Sequence, residues 1–347
     1  MNYWIGYLII LFFVGSGLMA LLLYSYRRFP TYPFLTNIIL MLISLFIIFM
    51  ALEFYLKVFF AEPHAMDTLA RQNWRERYAN PKSYNSFGYR DIQWTEQMVA
   101  DKTKIMIVGD SFVYGDGIED VRDRFSDRLG QKLGSDHVIF NLGRGGTNTK
   151  HHIEAMVQYP YSPDILILSY FLNDIQGAAL EHQWTLRPKN PEVIPWAAPL
   201  VNNSYALNFL YWRLYALLQV RQPDLTWDWY LQLYNDPDSW WVYRQQLLSI
   251  CEGAKAEGIP LVVIVFPSMN HVAESQVINE RIISLFQEKG VPVLDVADFI
   301  TGIPTEALVA SPMDAHPSEL VHQLVADHLY ELLVTEDLVK PVKADLN

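Results

Sequence analysis

A serine flanked by turn-forming residues stands at the end of a short apolar run. Residues 105–117 read IMIVGDSFVYGDG, so Ser111 follows Gly109 and Asp110 directly after a predicted buried strand. A serine hydroxyl in this position can serve as the nucleophile of an acyl transfer. It can equally be a turn residue that hydrogen-bonds its own backbone. The rest of the sequence distinguishes these two interpretations.

Two further loops offer donors for the oxyanion that forms when a hydroxyl attacks a carbonyl. The segment NLGRGGTNT at 141–149 contains glycines whose N–H groups can be approached closely, because no Cβ intervenes. Asn173 supplies a side-chain NH₂, and the backbone N–H of Ser111 is a third donor. Each of these groups follows a predicted strand. We therefore expect them to converge at the carboxyl edge of one parallel sheet.

His316 is the candidate general base. It lies in SPMDAHPSEL, where Asp314 precedes it by two residues and Pro317 opens a predicted helix. A carboxylate in this position can orient the imidazole and stabilise the imidazolium. The set then contains a nucleophile, a base, an orienting acid and oxyanion donors, which together indicate acyl transfer.

The remaining histidines and the single cysteine give no support for a metal or disulfide site. His151 and His152 are adjacent and would face different directions on a helix. His322 and His328 are expected to be packing or surface residues of the last helix. The sequence contains no HExxH, cysteine-cluster or EF-hand pattern. Cys251 is the only cysteine, so no intrachain disulfide can form.

Apolar β-type runs alternate with helix-like stretches after residue 103, which predicts an α/β fold with a parallel sheet covered on both faces. The predicted strands are 104–108, 137–142, 164–170, 260–266 and 291–296, and the predicted helices are 122–133, 148–158, 240–257, 273–289 and 317–334.

The alternation is interrupted by an aromatic-rich insertion at 175–240. It includes Trp184, Trp196, Trp212, Trp227, Trp229 and Trp240, and a helix-like stretch, YALNFLYWRLYALLQV, at 205–220. Three interpretations remain open: a helical cap on the core, a substrate lid with aromatic stacking faces, or a surface resting on the membrane or a partner.

The N-terminus predicts two membrane helices. The chain is 51% apolar and only 18% charged, and the apolar excess is concentrated in two uncharged runs, Tyr3–Leu23 and Phe34–Leu52. Each is long enough to cross a bilayer, and we expect lipid contact through residues 3–23 and 34–58. A cleavable signal peptide is the alternative for the first run, but MNY carries no Lys or Arg.

Basic residues orient the predicted helices. Arg27 and Arg28, between the two runs, favour a cytoplasmic hairpin and an extracytoplasmic chain after residue 60. Lys57 slightly opposes this orientation, although it can pair with Glu53 one turn earlier. The net charge of −12 and the lack of basic clusters argue against a nucleic-acid partner. The predicted organisation is an anchor at 1–60, a connector at 61–103, a catalytic domain at 104–335 and a tail at 336–347.

Four blocks of the sequence resemble those of the SGNH (GDSL-type) hydrolases, in the same order, and the resemblance spans residues 84–334. The blocks are Gly109-Asp110-Ser111-Phe112, Gly146, Asn173-Asp174 and Asp314-Ala-His316-Pro317. The upstream segment YNSFGYRD is similar to one in membrane-anchored members associated with extracellular polysaccharide modification. The resemblance implies a flavodoxin-like three-layer α/β/α domain. It also implies Ser111 as nucleophile, His316 as base and Asp314 as orienting acid, with Ser111 N–H, Gly146 N–H and Asn173 Nδ2 as oxyanion donors.

Two positions depart from the family pattern. Phe112 replaces the usual leucine, and Asp314 lies two residues before the histidine, where many members have three. Gly146 is chosen over the neighbouring glycines because it lies five residues after Asn141, as in the family's second block. The serine pentapeptide is G-D-S-F-V, not G-x-S-x-G, so an α/β-hydrolase fold is disfavoured.

The resemblance implies a membrane-anchored, metal-independent serine esterase without a cofactor, acting outside the cytoplasmic (inner) membrane on O-acyl esters of a carbohydrate, with acetyl as the expected acyl group. Three alternatives remain: an O-acetyltransferase working with a multi-span acyl-transporting membrane partner, a lipase or lysophospholipase, and a catalytically silent binding subunit.

Overall fold

The computed structural model describes residues 3–28, 33–181, 191–219 and 225–341. The centre of the predicted hairpin, the insertion residues 182–190 and 220–224 (Trp184 included) and the last six residues of the predicted tail lie outside these ranges. The chain divides into two units, Met1–Glu76 with Asn190–Gln222, and Arg77–Lys189 with Pro223–Asn347. This division differs from the predicted anchor boundary at residue 60, and it separates the two halves of the predicted insertion.

The strands are β1 (Thr103–Gly109), β2 (His137–Gly143), β3 (Ile165–Tyr170), β4 (Leu261–Val265), β5 (Val293–Asp295), β6 (Val309–Ser311) and β7 (Asp314–Pro317). The α-helices are α1 (Tyr3–Arg28), α2 (Pro33–Val58), α3 (Leu69–Tyr78), α4 (Glu96–Val99), α5 (Ser111–Tyr114), α6 (Phe125–Leu133), α7 (Thr149–Gln158), α8 (Gln176–Glu181), α9 (Ala198–Val201), α10 (Tyr205–Gln219), α11 (Leu225–Asn235), α12 (Pro237–Glu257), α13 (Val272–Gln287), α14 (Ala297–Ile300), α15 (Thr305–Leu308) and α16 (Glu319–Thr335). Short 3-10 helices cover Pro81–Ser83, Val121–Asp123 and Leu172–Ile175.

The central sheet of the second unit is parallel, with strand order β2-β1-β3-β4-β5. This is the flavodoxin-like order, so the predicted fold class is confirmed. All five predicted strands and the helices between them are present. The β6–β7 hairpin was not predicted, because strands of three and four residues leave no periodic pattern to read.

Two hydrophobic cores cover the two faces of this sheet. Successive side chains of a strand point to opposite faces, so Met106 and Val108 enter one core while Ile105 and Ile107 enter the other. The first core is completed by helices that include α12 and α13, and the second by α6 and α16. The continuous apolar run of β1 is therefore explained by burial on both sides.

In the first unit, α1 and α2 pack against each other as a helical hairpin. Gly15 lets the helices approach, since a Cβ there would lie 2.9 Å from a ring carbon of Phe46. Near the other end, the hydroxyls of Ser25 and Thr36 are 3.3 Å apart. Both helices are long and apolar enough to cross a membrane, which is compatible with the predicted anchor.

A buried carboxylate joins α2 to the first half of the insertion. Glu53, which the sequence places one turn from Lys57, accepts hydrogen bonds from Ser204 Oγ (2.9 Å), Tyr205 N (2.8 Å) and Ala206 N (2.8 Å). These donors form the N-terminus of α10, where an anionic partner is favourable. The contact explains why residues 190–222 associate with the N-terminal helices rather than with the sheet.

Candidate active site

Ser111 occupies the sharp turn between β1 and α5. Asp110 caps this helix, with its Oδ1 accepting the Phe112 N–H at 2.9 Å. The turn requires Gly109, because a Cβ there would lie 2.4 Å from a methyl carbon of Val113. Ser111 is only 8% exposed, and its N–H, at the first helical position, has no intrahelical acceptor. The local geometry therefore presents a hydroxyl and a free amide donor at the same point.

Asp110 also orients Asn173, the predicted oxyanion donor in the loop after β3. Its Oδ2 accepts the Nδ2–H of Asn173 at 3.0 Å and the hydroxyl of Ser111 at 3.5 Å. Burial raises the pKa of this carboxyl, although the hydrogen bonds it accepts counteract the shift. The sequence alone did not indicate a role for Asp110. Its position directly before Ser111 was the available signal.

Three glycines of the loop after β2 have different environments. A Cβ at Gly143 would lie 2.1 Å from the backbone nitrogen of Tyr114, so this glycine allows close packing of β2 on α5. A Cβ at Gly145 would lie 4.0 Å from Ser111 Cβ. Gly146 is exposed with φ +74°, and its N–H donates to no acceptor in the part of the chain that the structure describes. The loop thus passes beside the serine with a donor available.

Asn141 fastens this loop to the serine helix. Its Nδ2 donates to Val113 O and to Ser126 Oγ, both at 2.8 Å, and its Oδ1 accepts the Gly143 N–H at 3.0 Å. The side chain is 2% exposed. In the sequence, Asn141 served only to locate Gly146, five residues later. The structure shows that it fixes β2 relative to α5.

The structure brings Asp314 and His316 into direct contact. Asp314 Oδ1 lies 2.5 Å from His316 Nδ1 and also accepts the His316 N–H at 3.2 Å. Both residues belong to β7, where positions i and i+2 share a face. The two-residue spacing that departs from the family pattern is therefore compatible with an Asp–His pair, because the segment is extended.

His316 carries a positive charge in the resting site. Burial alone would lower its pKa, but the charge and hydrogen bond of Asp314 and the charges of Asp116 and Asp110 raise the pKa to about 9. The ring is 19% exposed, so one edge remains open to solvent or substrate. It can accept a proton only in the minority deprotonated form at pH 7.

Phe112 places the imidazole beside the serine helix. Its ring lies 5.6 Å from the His316 ring, 4.2 Å from Phe171 after β3, and 5.2 Å from Phe266 after β4, measured between centroids. Phe112, which replaces the usual leucine, thus contacts one residue after β3, one after β4 and one in β7. His316 is brought to the helix that carries Ser111, while the Ser111 hydroxyl itself contacts Asp110.

The upstream segment YNSFGYRD forms hydrogen bonds to the turn that follows α5. Arg90 is 3% exposed and donates to the carbonyls of Gly115 (2.8 Å), Ile118 (2.8 Å) and Tyr78 (2.6 Å). The next residue, Asp91, accepts the Asn141 N–H at 3.2 Å. Arg90 and Asp91 were not among the predicted site residues, although the family-like segment that contains them was noted.

The other histidines that the sequence singled out, His151, His152, His322 and His328, are not part of the Asp314–His316 pair. His322 is buried and accepts the Phe125 N–H at 3.1 Å, and His328 stacks on Phe299 with centroids 4.1 Å apart. His151 is exposed whereas its neighbour is buried, as expected for a helix. Within the described ranges, no group of three or more His, Cys, Asp or Glu side chains could hold a metal ion.

The chain matches a known protein family and is similar to several solved structures. The model of the GDSL-like lipase/acylhydrolase family matches residues 107–324. No curated protein matches the chain by sequence. Among solved structures, the chain is similar to a protein assigned to the G-D-S-L lipolytic family from Desulfitobacterium hafniense (16% identity, TM-score 0.41, 67% of this chain and 100% of that one). It is also similar to a lipase/acylhydrolase from Enterococcus faecalis (17% identity, TM-score 0.41, 70% of this chain and 100% of that one). A third similar structure is a carbohydrate acetylesterase family member from Sinorhizobium meliloti (14% identity, TM-score 0.34, 67% of this chain and 98% of that one).

The family assignment rests on the family model, since the structural similarities are low in identity and TM-score. That match includes Ser111, Gly146, Asn173, Asp314 and His316 and covers more than half of the chain. The protein therefore belongs to the GDSL-like lipase/acylhydrolase family and is an ester hydrolase.

Proposed function

We propose that the protein is a membrane-anchored serine esterase that works through an acyl-enzyme on Ser111. The observation that carries the proposal is the Asp314–His316 pair, which packs on the helix that begins with Ser111. Asn173 and Gly146 supply donors from the loops on either side. Nucleophile, base, orienting acid and oxyanion donors are the groups that acyl transfer requires.

The proposed reaction has two proton-balanced halves. In the first, Ser111 Oγ bonds to the ester carbon while its proton passes to the neutral imidazole of His316. The carbonyl oxygen becomes an oxyanion that accepts hydrogen bonds from Ser111 N–H, Gly146 N–H and Asn173 Nδ2. The ester C–O bond then breaks, and His316 returns the proton to the leaving alcohol. In the second half, water attacks the acyl carbon while His316 takes its proton. The bond from that carbon to Ser111 Oγ then breaks, the free acid leaves, and His316 returns the proton to Ser111.

We further propose that this chemistry takes place outside the cytoplasmic membrane. Arg27 and Arg28 form the last turn of α1, and basic residues of short loops favour the cytoplasmic side. With that hairpin inside, α2 leads out of the cytoplasm and residues 77–341 face the extracytoplasmic or periplasmic space. Cysteine fusions or protease accessibility in spheroplasts test this orientation.

The proposed substrate is an O-acetylated carbohydrate. Ser111 is nearly buried and Gly145 lies against it, which favours a small acyl group. On the alcohol side, Trp227 of α11 stacks with His271, which follows β4 at the carboxyl edge of the sheet (centroids 4.9 Å apart). Both residues are half-buried, and aromatic side chains at this edge are compatible with a sugar as the alcohol.

A hydrolysis assay of the detergent-solubilised full chain tests the proposal. The substrates are p-nitrophenyl esters of increasing acyl length, and the variants are Ser111→Ala and His316→Ala. Ser169→Ala is the matched control, because Ser169 is a buried serine of the neighbouring strand β3 whose hydroxyl has no hydrogen-bond partner within the described residues.

The proposal predicts turnover that is highest for acetyl, lost in both site variants and retained in the control. If the wild type hydrolyses none of the esters faster than Ser111→Ala does, the proposal is refuted and a binding role remains. Activity that rises with acyl length would instead identify a lipase. A product that shifts from free acetate to acetylated oligosaccharide when a sugar oligomer is added would identify an O-acetyltransferase, which requires a multi-span partner to supply the acyl group.

A further inference from the structure

A buried histidine lies between the two loops that carry the predicted oxyanion donors. His152, on α7, is 2% exposed and has no part in the proposed reaction. Its Nε2 lies 3.4 Å from Thr147 Oγ1, in the loop after β2 that contains Gly146. The same nitrogen lies 3.9 Å from Oδ1 of Asp174, the neighbour of Asn173 after β3. One ring nitrogen therefore faces both loops.

The sheet itself does not join these loops. Strand β1 separates β2 from β3, so their carboxyl ends are about 10 Å apart. Side chains make the contact between them instead. There the loop after β2 also packs on α8, since a Cβ at Gly177 would lie 2.7 Å from Asn148 Nδ2. The distance between the two donor loops thus depends on side chains at this contact.

The hydrogen bonds assign the ring proton of His152. The hydroxyl of Thr147 donates to Arg144 O at 2.6 Å, so its oxygen can only accept from the histidine. Nε2 then carries the ring proton, and Asp174 Oδ1 lies 3.9 Å from the same nitrogen. Asp174 Oδ2 accepts the Phe171 N–H at 3.3 Å, whereas Oδ1 is buried without a hydrogen-bond partner within the described residues. At 3.9 Å from Nε2, this oxygen makes a polar contact with His152 and not a hydrogen bond.

The charge states agree with this arrangement. Burial, with a smaller contribution from His151, lowers the pKa of His152 to about 3. Burial and the nearby charge of Asp110 raise the pKa of Asp174 well above its usual range. Asp110 accepts three hydrogen bonds and Asp174 accepts one, so the ionised form is better stabilised on Asp110 than on Asp174. Both shifts favour the uncharged forms of His152 and Asp174.

We propose that His152 is a positioning residue that holds the Asn173 and Gly146 loops at the separation the oxyanion requires. It touches neither substrate nor the reacting atoms and acts through Thr147 and Asp174. The proposal rests on the proposed function of Ser111. A displacement of about 1 Å at a reacting centre can reduce the rate about 100-fold.

Three variants of the full chain in detergent test this role. His152→Leu removes the donor, whereas His152→Gln keeps an N–H at a similar reach. His322→Leu is the matched control, because His322 is equally buried, has its pKa lowered to about 3 by burial, and lies outside the site. The readouts are kcat and KM for p-nitrophenyl acetate and the second-order rate of Ser111 labelling by a fluorescent fluorophosphonate. Thermal unfolding reports folding, and His152→Asn replaces His152→Leu if the latter does not fold.

The proposal predicts a loss of about 10- to 100-fold in kcat and labelling rate for His152→Leu, with KM within about threefold of wild type. His152→Gln and His322→Leu should each stay within about threefold. An unaffected His152→Leu, or an equal loss in His152→Gln or in His322→Leu, would overturn the positioning role alone. A wild type that labels no faster than Ser111→Ala would overturn the proposed function and the positioning role with it.

Discussion

The carboxylate of Asp110 accepts the Nδ2–H of Asn173 at 3.0 Å. The residue before the predicted nucleophile therefore orients the predicted oxyanion donor of the neighbouring loop. With one amide proton bound by Asp110, the second can point to the substrate oxygen. The same carboxylate caps α5 through the Phe112 N–H, so one side chain fixes both the serine helix and the donor.

Asp110→Asn should lower kcat about 100-fold with little change in KM. The asparagine offers one acceptor oxygen where two are needed, so either the cap of α5 or the orientation of Asn173 is lost. Steady-state kinetics with p-nitrophenyl acetate measure the change. Asp120→Asn is the control, because Asp120 caps a short helix in the same way at an exposed position. A normal kcat in Asp110→Asn would show that Asn173 is oriented without it.

The sequence was sufficient for the sheet and for the local part of the site. The strands are short apolar runs, and β1 to β5 lie where those runs predicted them. Asp314 and His316 are two residues apart, so an extended backbone alone brings them together. Contacts of Arg90 with Gly115 and of His152 with Asp174 join residues far apart in the chain. A single sequence carries no signal for such pairs.

The division of the insertion also lay beyond the sequence. Residues 190–222 belong with the N-terminal helices because Glu53 binds the start of α10. The later part of the insertion lies against the sheet domain instead, where Tyr234 Oη of α11 donates to Leu172 O at 3.0 Å. The two halves of the insertion therefore belong to different units, and composition alone could not separate them.

The rate should rise with pH through about 9. The general base is the neutral imidazole of His316, whose pKa is raised to about 9 by Asp314, Asp116 and Asp110 against the effect of burial. Below that pKa each unit of pH lowers the neutral fraction tenfold, so kcat/KM should fall nearly tenfold from pH 8 to pH 7. The measurement is a kcat/KM profile for p-nitrophenyl acetate between pH 6 and 10, corrected for spontaneous hydrolysis.

Asp116→Asn should move this profile towards lower pH. Removing one of the carboxylates that stabilise the imidazolium lowers the pKa of His316, so more of the base is neutral at pH 7. Glu306→Gln, at an exposed position of α15, serves as a control that removes the same charge. A flat profile from pH 6 to 8 in the wild type would contradict the assignment of His316 as a base of raised pKa.

Arg90→Lys should lower the unfolding temperature of the sheet domain by about 5–10 °C. The buried guanidinium spans the carbonyls of Gly115, Ile118 and Tyr78, and a single ammonium cannot reach all three. Unsatisfied buried carbonyls cost about 1–3 kcal/mol each, and about 1 kcal/mol corresponds to about 2–4 °C in a domain of this size. Thermal unfolding followed by circular dichroism measures the shift. Arg122→Lys, at a side chain that is 78% exposed, should leave it unchanged.

Glu53→Gln should loosen the first half of the insertion without affecting esterase activity. Glu53 accepts from Ser204 Oγ, Tyr205 N and Ala206 N, and the neutral amide loses one acceptor oxygen and the charge that favours the helix N-terminus. Hydrogen exchange in detergent should become faster for the amides of 198–208, with kcat and KM unchanged because the site residues belong to the other unit. Glu76→Gln, an exposed carboxylate of α3, is the control. If exchange at 198–208 is equally slow in Glu53→Gln, packing against α2 rather than the carboxylate holds α10 in place.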